Sequence, residues 1–269
     1  MRRIFLWMLF GALVCAAVPA AAAEQASPVA QSMTDFARDA ALGATLQMRE
    51  GTEAELGELR ILADRGLKLA RQAVASHPES AEAQYALGSW LLYGYRAVEA
   101  DQISFDPQGN AQSERITRVV QGLADDVEEG LAALKKAAEL APSNGEYVVD
   151  YAAALMDCDR GDESAGVLKA VWAAQRSLPV EFRMRAGLLL SAIAENSGDL
   201  DGAREWVYSA LALDPLAAPA VDRLRHIDAA VLAAVSAPAS APPAPEAGQA
   251  EQQPEVVEPT PPMPEQSDQ

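Results

Sequence analysis

Histidine and cysteine are the scarcest functional residues in this chain, two of each among 269. His77 and His226 stand far apart in sequence, leaving little material for a histidine metal site or a Ser-His-Asp triad. Cys15 and Cys158 cannot build a disulfide framework or a four-thiolate zinc site. Basic residues are short as well: 21 Lys and Arg face 39 Asp and Glu, for a net charge of −18. Nucleic-acid binding runs on clustered cations, so that partner class is excluded. Aromatics make up only 6% of a chain that is 50% hydrophobic. Such a balance fits closely packed Ala/Leu helices, not a β-sandwich built from Val, Ile, Thr and Tyr. No nucleophile–base pair, glycine-rich phosphate loop or metal cluster is present as a motif. An enzyme is therefore not expected, and no cofactor or metal is called for.

The two ends read differently from the middle. Met1-Arg2-Arg3, the apolar run Ile4 to Val18, Pro19 and then Ala20 to Ala23 follow the layout of a secretory signal peptide ending at residue 23. An uncleaved membrane anchor of the same residues is the competing reading, and Cys15 lacks the small preceding residue of a lipoprotein site. Residues 24–32 are expected to be a flexible segment. At the other end, Ser236 to Gln269 holds nine of the 17 prolines, six acids and no basic residue. With little apolar surface to offset ordering entropy, it is expected to be a disordered tail, either solubilising or a spacer.

Between them lies a repeat anchored on prolines. Ala73 to Pro78, Ala137 to Pro142 and Ala210 to Pro215 are three helix ends followed by Pro, and Pro179 is a looser fourth. Pro78, Pro142, Pro179 and Pro215 are separated by 64, 37 and 36 residues. The last two intervals are near a period of about 34 residues, and the first is that period plus an insertion of roughly 30. Gly198-Asp199-Leu200-Asp201-Gly202-Ala203 reads as a tight inter-helix turn, repeated by Arg160-Gly161-Asp162-Glu163-Ser164-Ala165. Gly88 and Ala152 are the small residues where neighbouring helices should cross closest. Capping boxes are expected at Thr52 to Glu55 and Ser143 to Glu146. Helices are placed near 33–49, 52–76, 80–97, 114–141, 144–157, 162–176, 180–197, 199–213 and 217–234, the last capping the stack. In the insertion, about 96–125, Asp101 to Ser113 reads as a loop. Glu114 to Asp126 reads as a helical extension with Ile116, Val119, Val120 and Leu123 on one face.

These residues resemble the tetratricopeptide repeat (TPR) family from roughly Glu53 to Pro215. The resemblance implies an all-α fold over 33–235, a TPR-like superhelix of stacked antiparallel helix pairs whose concave face binds peptides or protein segments. With the signal sequence, it implies an exported bacterial scaffold, periplasmic or secreted, that binds a protein or peptide partner and has no membrane span once cleaved. A structural spacer with the acidic tail as its working part is the alternative.

In this family the groove positions of each first helix are the second, fifth, ninth, twelfth and thirteenth. Carried over, they become Glu82, Tyr85, Ser89, Leu92 and Tyr93, then Glu146, Val149, Ala153, Met156 and Asp157, then Arg185, Leu188, Ala192, Glu195 and Asn196. Tyr85, Ser89, Leu92, Tyr93, Val149, Met156, Arg185 and Asn196 are the partner-binding candidates. The Lys/Arg/Asn clamp with which some members bind a terminal carboxylate is not supported. Tyr85, Tyr93 and Met156 instead read as apolar anchors with an acidic rim, unless the tyrosines simply pack between helices. Cys158, at a turn among carboxylates, reads as inert, and Asp157 to Asp162 as a turn, not a calcium loop.

Overall fold

The computed structural model describes residues 27–105, 111–122, 126–174 and 178–236. The expected signal peptide and, beyond Ser236, the Pro-rich tail lie outside them. Among the described residues the order is α1 (Pro28–Gln47), α2 (Glu53–Ser76), α3 (Ala81–Tyr93), β1 (Tyr95–Phe105), β2 (Ala111–Gln121), α4 (Val127–Leu140), α5 (Gly145–Asp157), α6 (Gly161–Ala173), α7 (Val180–Asn196), α8 (Leu200–Leu211) and α9 (Ala218–Ser236). α1 packs on α2, α3 on α4, α5 on α6 and α7 on α8, and each pair leans on the next. Short connections make α1–α2, α5–α6 and α7–α8 antiparallel, and the Gly122 N–H, donating to the Gly94 carbonyl at 2.8 Å, returns the chain from the end of α3 to the start of α4.

The core follows that serial order. Trp90 and Leu91 of α3 pack with Ala63 and Ala70 of α2, Leu131 and Leu134 of α4 with Leu155 of α5, and Leu168 of α6 with Leu189 and Leu190 of α7. Val207 of α8 and Ile227 of α9 close the series with Leu188. Each unit is thus stabilised by its neighbours, as a solenoid requires. α9 covers α8 with Ala220 and Ile227, while Leu232 and Val235 in its last turns are 66% and 80% exposed.

The small residues sit where the helices cross. A Cβ on Gly88 would stand 2.6 Å from Leu134 Cγ and 2.9 Å from the Gly130 carbonyl oxygen. Ala152 is fully buried, and Ser164 Oγ donates to its carbonyl at 2.6 Å. The two repeat turns share a left-handed residue, Gly198 (φ 85°) and Asp159 (φ 59°). That register equates Asp159, not Gly161, with Gly198, and so sets buried Ser164 opposite buried Ala203.

Several local expectations are corrected. α1 begins at Pro28, inside the segment expected to be flexible. Ser27 accepts the Ala30 N–H at 3.2 Å, with Pro28 opening the helix. Ser32 is buried, its Oγ donating to the Gly66 carbonyl (2.9 Å) and accepting from Trp90 Nε1 (2.9 Å). The box at Thr52 and Glu55 forms, but α5 is capped by Asn144, which accepts the Glu146 N–H, and not by Ser143.

The largest correction is the insertion, and it qualifies the all-α reading. Helix α3 stops at Tyr93, and two 11-residue strands pair antiparallel from Tyr95↔Gln121 to Phe105↔Ala111. The expected loop 101–113 and helical turns 114–126 are instead this hairpin and its connection, of which 106–110 and 123–125 lie outside the described residues. Ile116, Val119 and Val120 satisfy a three/four spacing and also a β-rich strand. Cross-strand pairing with Ala100, Ala97 and Arg96 decides for the strand. At its root Tyr95 is buried with Leu46 and Leu59, and Ala97 and Val119 pack against them. Ile103, toward the tip, is 65% exposed.

Candidate functional site

The first helix of each pair presents polar side chains to the first helix of the next. Tyr85 Oη of α3 donates to Asp150 Oδ2 of α5 at 2.7 Å, and Arg185 Nη2 of α7 donates to Asp150 Oδ1 at 2.7 Å. Tyr93 Oη donates to Asp157 at 3.3 Å. Farther along, Glu195 of α7 meets Arg223 (2.6 Å) and His226 (3.0 Å) of α9, and Arg223 Nε donates to Ser191 Oγ at 3.3 Å. One ribbon of hydrogen bonds and ion pairs therefore runs over α3, α5, α7 and α9.

At the start of this ribbon is a pocket of about 300 Å³. α1 contributes Val29, Ala30 and Met33, with its cap Ser27, α3 contributes Glu82 and Tyr85, and α5 contributes Glu146 and Tyr147. The Tyr85 and Tyr147 rings stack with centroids 4.6 Å apart and planes at 29°, the offset geometry that aromatic quadrupoles favour.

Electrostatics follow from this crowding. Desolvation pushes the Tyr85 hydroxyl far above its ordinary range, with Asp150 adding to it; both keep the proton on the tyrosine, which donates. Burial and Asp157 do the same for Tyr93. Glu146 is raised by desolvation and by Asp150, with Arg185 offsetting in part. Desolvation also raises Asp157, against the bond from Tyr93. Glu195 goes the other way: desolvation opposes its charge, yet Arg223 and His226 hold it below the usual carboxylate range.

The candidate residues divide accordingly. Tyr85 and Arg185 meet through Asp150, and Tyr93 joins them across the α3–α5 boundary. Val149 is fully buried with Leu168 and Leu189, so it is core and not groove. Ser89 is 5% exposed and donates to the Tyr85 carbonyl of its own helix, so no partner reaches it. Leu92 packs toward α4, its Cγ 2.7 Å from where a Gly130 Cβ would stand. Met156 is half-buried against the α5–α7 cluster, and Asn196 is exposed at the end of α7. The rings of Tyr85 and Tyr93 also pack against the α4–α5 cluster, so they are part of the framework as well as of the face. Asp150 and Tyr147 were missed because the carried-over phase lands one residue early on α5. Glu146, Asp150 and Asp157 recur at steps of four and seven, a polar stripe that marks the face. Of the α1 wall only Met33 falls within the helix expected from residue 33, whereas Ser27, Val29 and Ala30 lie in the segment expected to be flexible. Cys158 is half-buried at its turn, and burial together with Asp157 pushes its thiol up, which disfavours the reactive thiolate.

No family model and no curated protein matches this chain. Among solved structures, it is similar to MamA 41-end from Desulfovibrio magneticus RS-1, with 15% identity, 75% of this chain and 85% of that one covered, and a TM-score of 0.43. A thermophilic TPR protein of Thermus thermophilus has 15% identity, 76% and 97% coverage and a TM-score of 0.41. YrrB, a TPR protein with an unusual peptide-binding site, has 15% identity, 71% and 84% coverage and a TM-score of 0.39. The fold is TPR-like. It is so on its own geometry, through helix pairs in series, small residues at their crossings and first helices sharing one face. Among the described residues of this TPR-like chain, no helix is long and apolar enough to cross a membrane.

Proposed function

We propose that this chain is an exported, non-enzymatic scaffold that binds a segment of a partner protein on the face formed by its first helices. The observation that carries the reading is the pocket at α1, α3 and α5, continuous with a ribbon of polar side chains over α5, α7 and α9. An open pocket on a face shared by several first helices suits an extended segment better than a small substrate enclosed on all sides. Export rests on residues 1–23, whose basic start, apolar run and alanine-rich end match a cleavable signal, and places the scaffold in the periplasm or outside the cell.

The test is site-specific photo-crosslinking in the envelope fraction, with a benzoylphenylalanine probe at position 30 on the rim of the pocket, 169 on α6, or 250 in the tail. Adducts of one mass from 30 alone are expected. Adducts only from 250 would transfer the function to the tail and leave the helix pairs as its support. Export is checked separately, by the mass of the mature N-terminus: a chain retaining residues 1–23 overturns cleavage.

A further inference from the structure

We infer that the pocket between α1, α3 and α5 is a recognition site for a basic side chain, a lysine or arginine carried by the partner segment beside an apolar residue. This deepens the scaffold reading and rests on it.

The pocket walls supply three things in one place. Glu82 and Glu146 carry carboxylates, and neither has an ion-pair partner among the described residues. Arg185, on the neighbouring α7, is bound to Asp150 at 2.7 Å and does not line the cavity. Tyr85 and Tyr147 add a stacked aromatic pair, whose negative π-faces attract cations. Val29, Ala30 and Met33 on α1 form an aliphatic wall. A basic side chain is amphipathic: its methylene stem lies along such a wall while its charged head seeks carboxylates and rings. An acidic or neutral side chain would find no cation in these walls.

The helix termini argue the same way once their donors are counted. Three N-termini converge here, each bearing roughly half a positive charge from its dipole. Ser27, Ser80 and Asn144 already accept a backbone N–H at each end, from Ala30, Ala83 and Glu146. The exposed donors an anion would need are thus partly consumed, and two full negative charges outweigh the partial positive ones. Glu146 is moreover destabilised as an anion by desolvation and by Asp150, so an incoming cation relieves a strain present in the free protein. The chain's net charge of −18 steers cationic segments toward it.

The experiment is selection of a random nonapeptide phage library against the full chain and against a Glu82→Gln/Glu146→Gln variant, each checked for native helix content. Selected peptides are then measured by fluorescence anisotropy at low and physiological salt. The expected result is enrichment of Lys or Arg beside Leu, Ile or Phe, with about tenfold weaker binding to the double variant at low salt and a smaller ratio at high salt. Peptides that bind wild type and Tyr147→Leu equally, show no basic preference, or keep it on the double variant would overturn the cation site while leaving the scaffold standing. A library yielding no binder to the folded full chain would overturn both.

Discussion

The connections within two neighbouring helix pairs differ in kind. α5 passes to α6 through Cys158, Asp159 and Arg160, with Asp159 left-handed and the Arg160 N–H reaching back to the Leu155 carbonyl at 2.8 Å. α3 passes to α4 through an entire β-hairpin. Yet α3 and α4 still cross at Gly88 and Gly130, too closely for a Cβ at either position. The helix crossing, and not the turn, therefore defines a repeat here. A long excursion is tolerated because loop-closure entropy grows only slowly with length, and because its root buries Tyr95 against α1 and α2.

The sharpest way to break that comparison is one substitution in both pairs. Gly88→Ala adds a Cβ that meets Leu134 and the Gly130 backbone below 3 Å. Gly166→Ala, in the middle of α6, meets nothing within 4 Å. Helix propensity favours both changes by about 1 kcal/mol, so opposite signs would be pure packing. Overpacking should make Gly88→Ala net destabilising by about 2–4 kcal/mol, while Gly166→Ala should gain about 0.5–1 kcal/mol. Urea unfolding measures both, and equal signs would mean the crossing does not define the unit.

The hairpin root should show a pH signature of its own. Asp39 of α1 is fully buried; its Oδ2 accepts the Tyr95 N–H at 2.7 Å, and its Oδ1 finds no partner among the described residues. Burial pushes it from 3.8 up to about 6, against the Tyr95 bond and the nearby Arg96 charge. A raised carboxylate means the native state holds a proton that the unfolded chain has lost. Its contribution to stability therefore increases as pH falls through about 6 and levels off below 3.8, by up to about 3 kcal/mol. Glu55, held down to about 2 by Arg49 and Thr52, acts oppositely below pH 4.5, so the readout is a difference. Stability of wild type relative to Asp39→Asn should rise from pH 7 to pH 4. A flat difference would mean that Asp39 does not titrate in this window.

What was legible in the sequence was whatever the repeat itself dictates. Gly88 and Ala152, the prolines after helix ends and the first-helix face all follow from helices that must cross closely at a fixed period. The hairpin was not legible, because Ile116, Val119 and Val120 satisfy helical and strand periodicity together. Only pairing with residues about 20 positions away decides between them, and a local window does not contain that partner. The body of α1 is legible as a helix from residue 33, but its first turn is not: Pro28 to Ser32 read as a flexible segment, and the buried side of the helix includes Ser32, Asp35 and Asp39. These are polar residues whose burial is offset by specific bonds, as in the Asp35–Arg65 pair at 2.6 Å. On the face, one residue of phase on α5 exchanged Asp150 for Val149.

The hairpin's outer half offers a gentler test of the same contrast. Val98 and Arg118 are a cross-strand pair, hydrogen-bonded by the alternation that starts at Gly94 and Gly122, so residues 99–117 can be replaced by a two-residue Asn-Gly loop, whose type I′ turn matches strand twist. The root contacts of Tyr95, Ala97 and Val119 survive. Unfolding should stay cooperative and change by less than about 1 kcal/mol, with helical ellipticity preserved. A loss of several kcal/mol would make the tip part of the folding unit.

The smallest effect belongs to the inner face, where packing and polar roles are to be separated on one residue. Tyr93 packs its ring against the α4–α5 cluster and donates a 3.3 Å bond to Asp157. Tyr93→Phe keeps the ring and removes only that bond, which is long and weak, so stability should fall by about 0.5 kcal/mol or less. Tyr93→Ala removes the ring and should cost about 3 kcal/mol. The bond is one of the influences restraining Asp157, which desolvation already raises. Without it, the Asp157 carboxyl should titrate at still higher pH in Tyr93→Phe, as followed by its side-chain carbon NMR signal. An unchanged titration together with unchanged stability would mean the hydroxyl stands free of Asp157 in solution. Tyr93 would then join α3 to α5 through its ring alone.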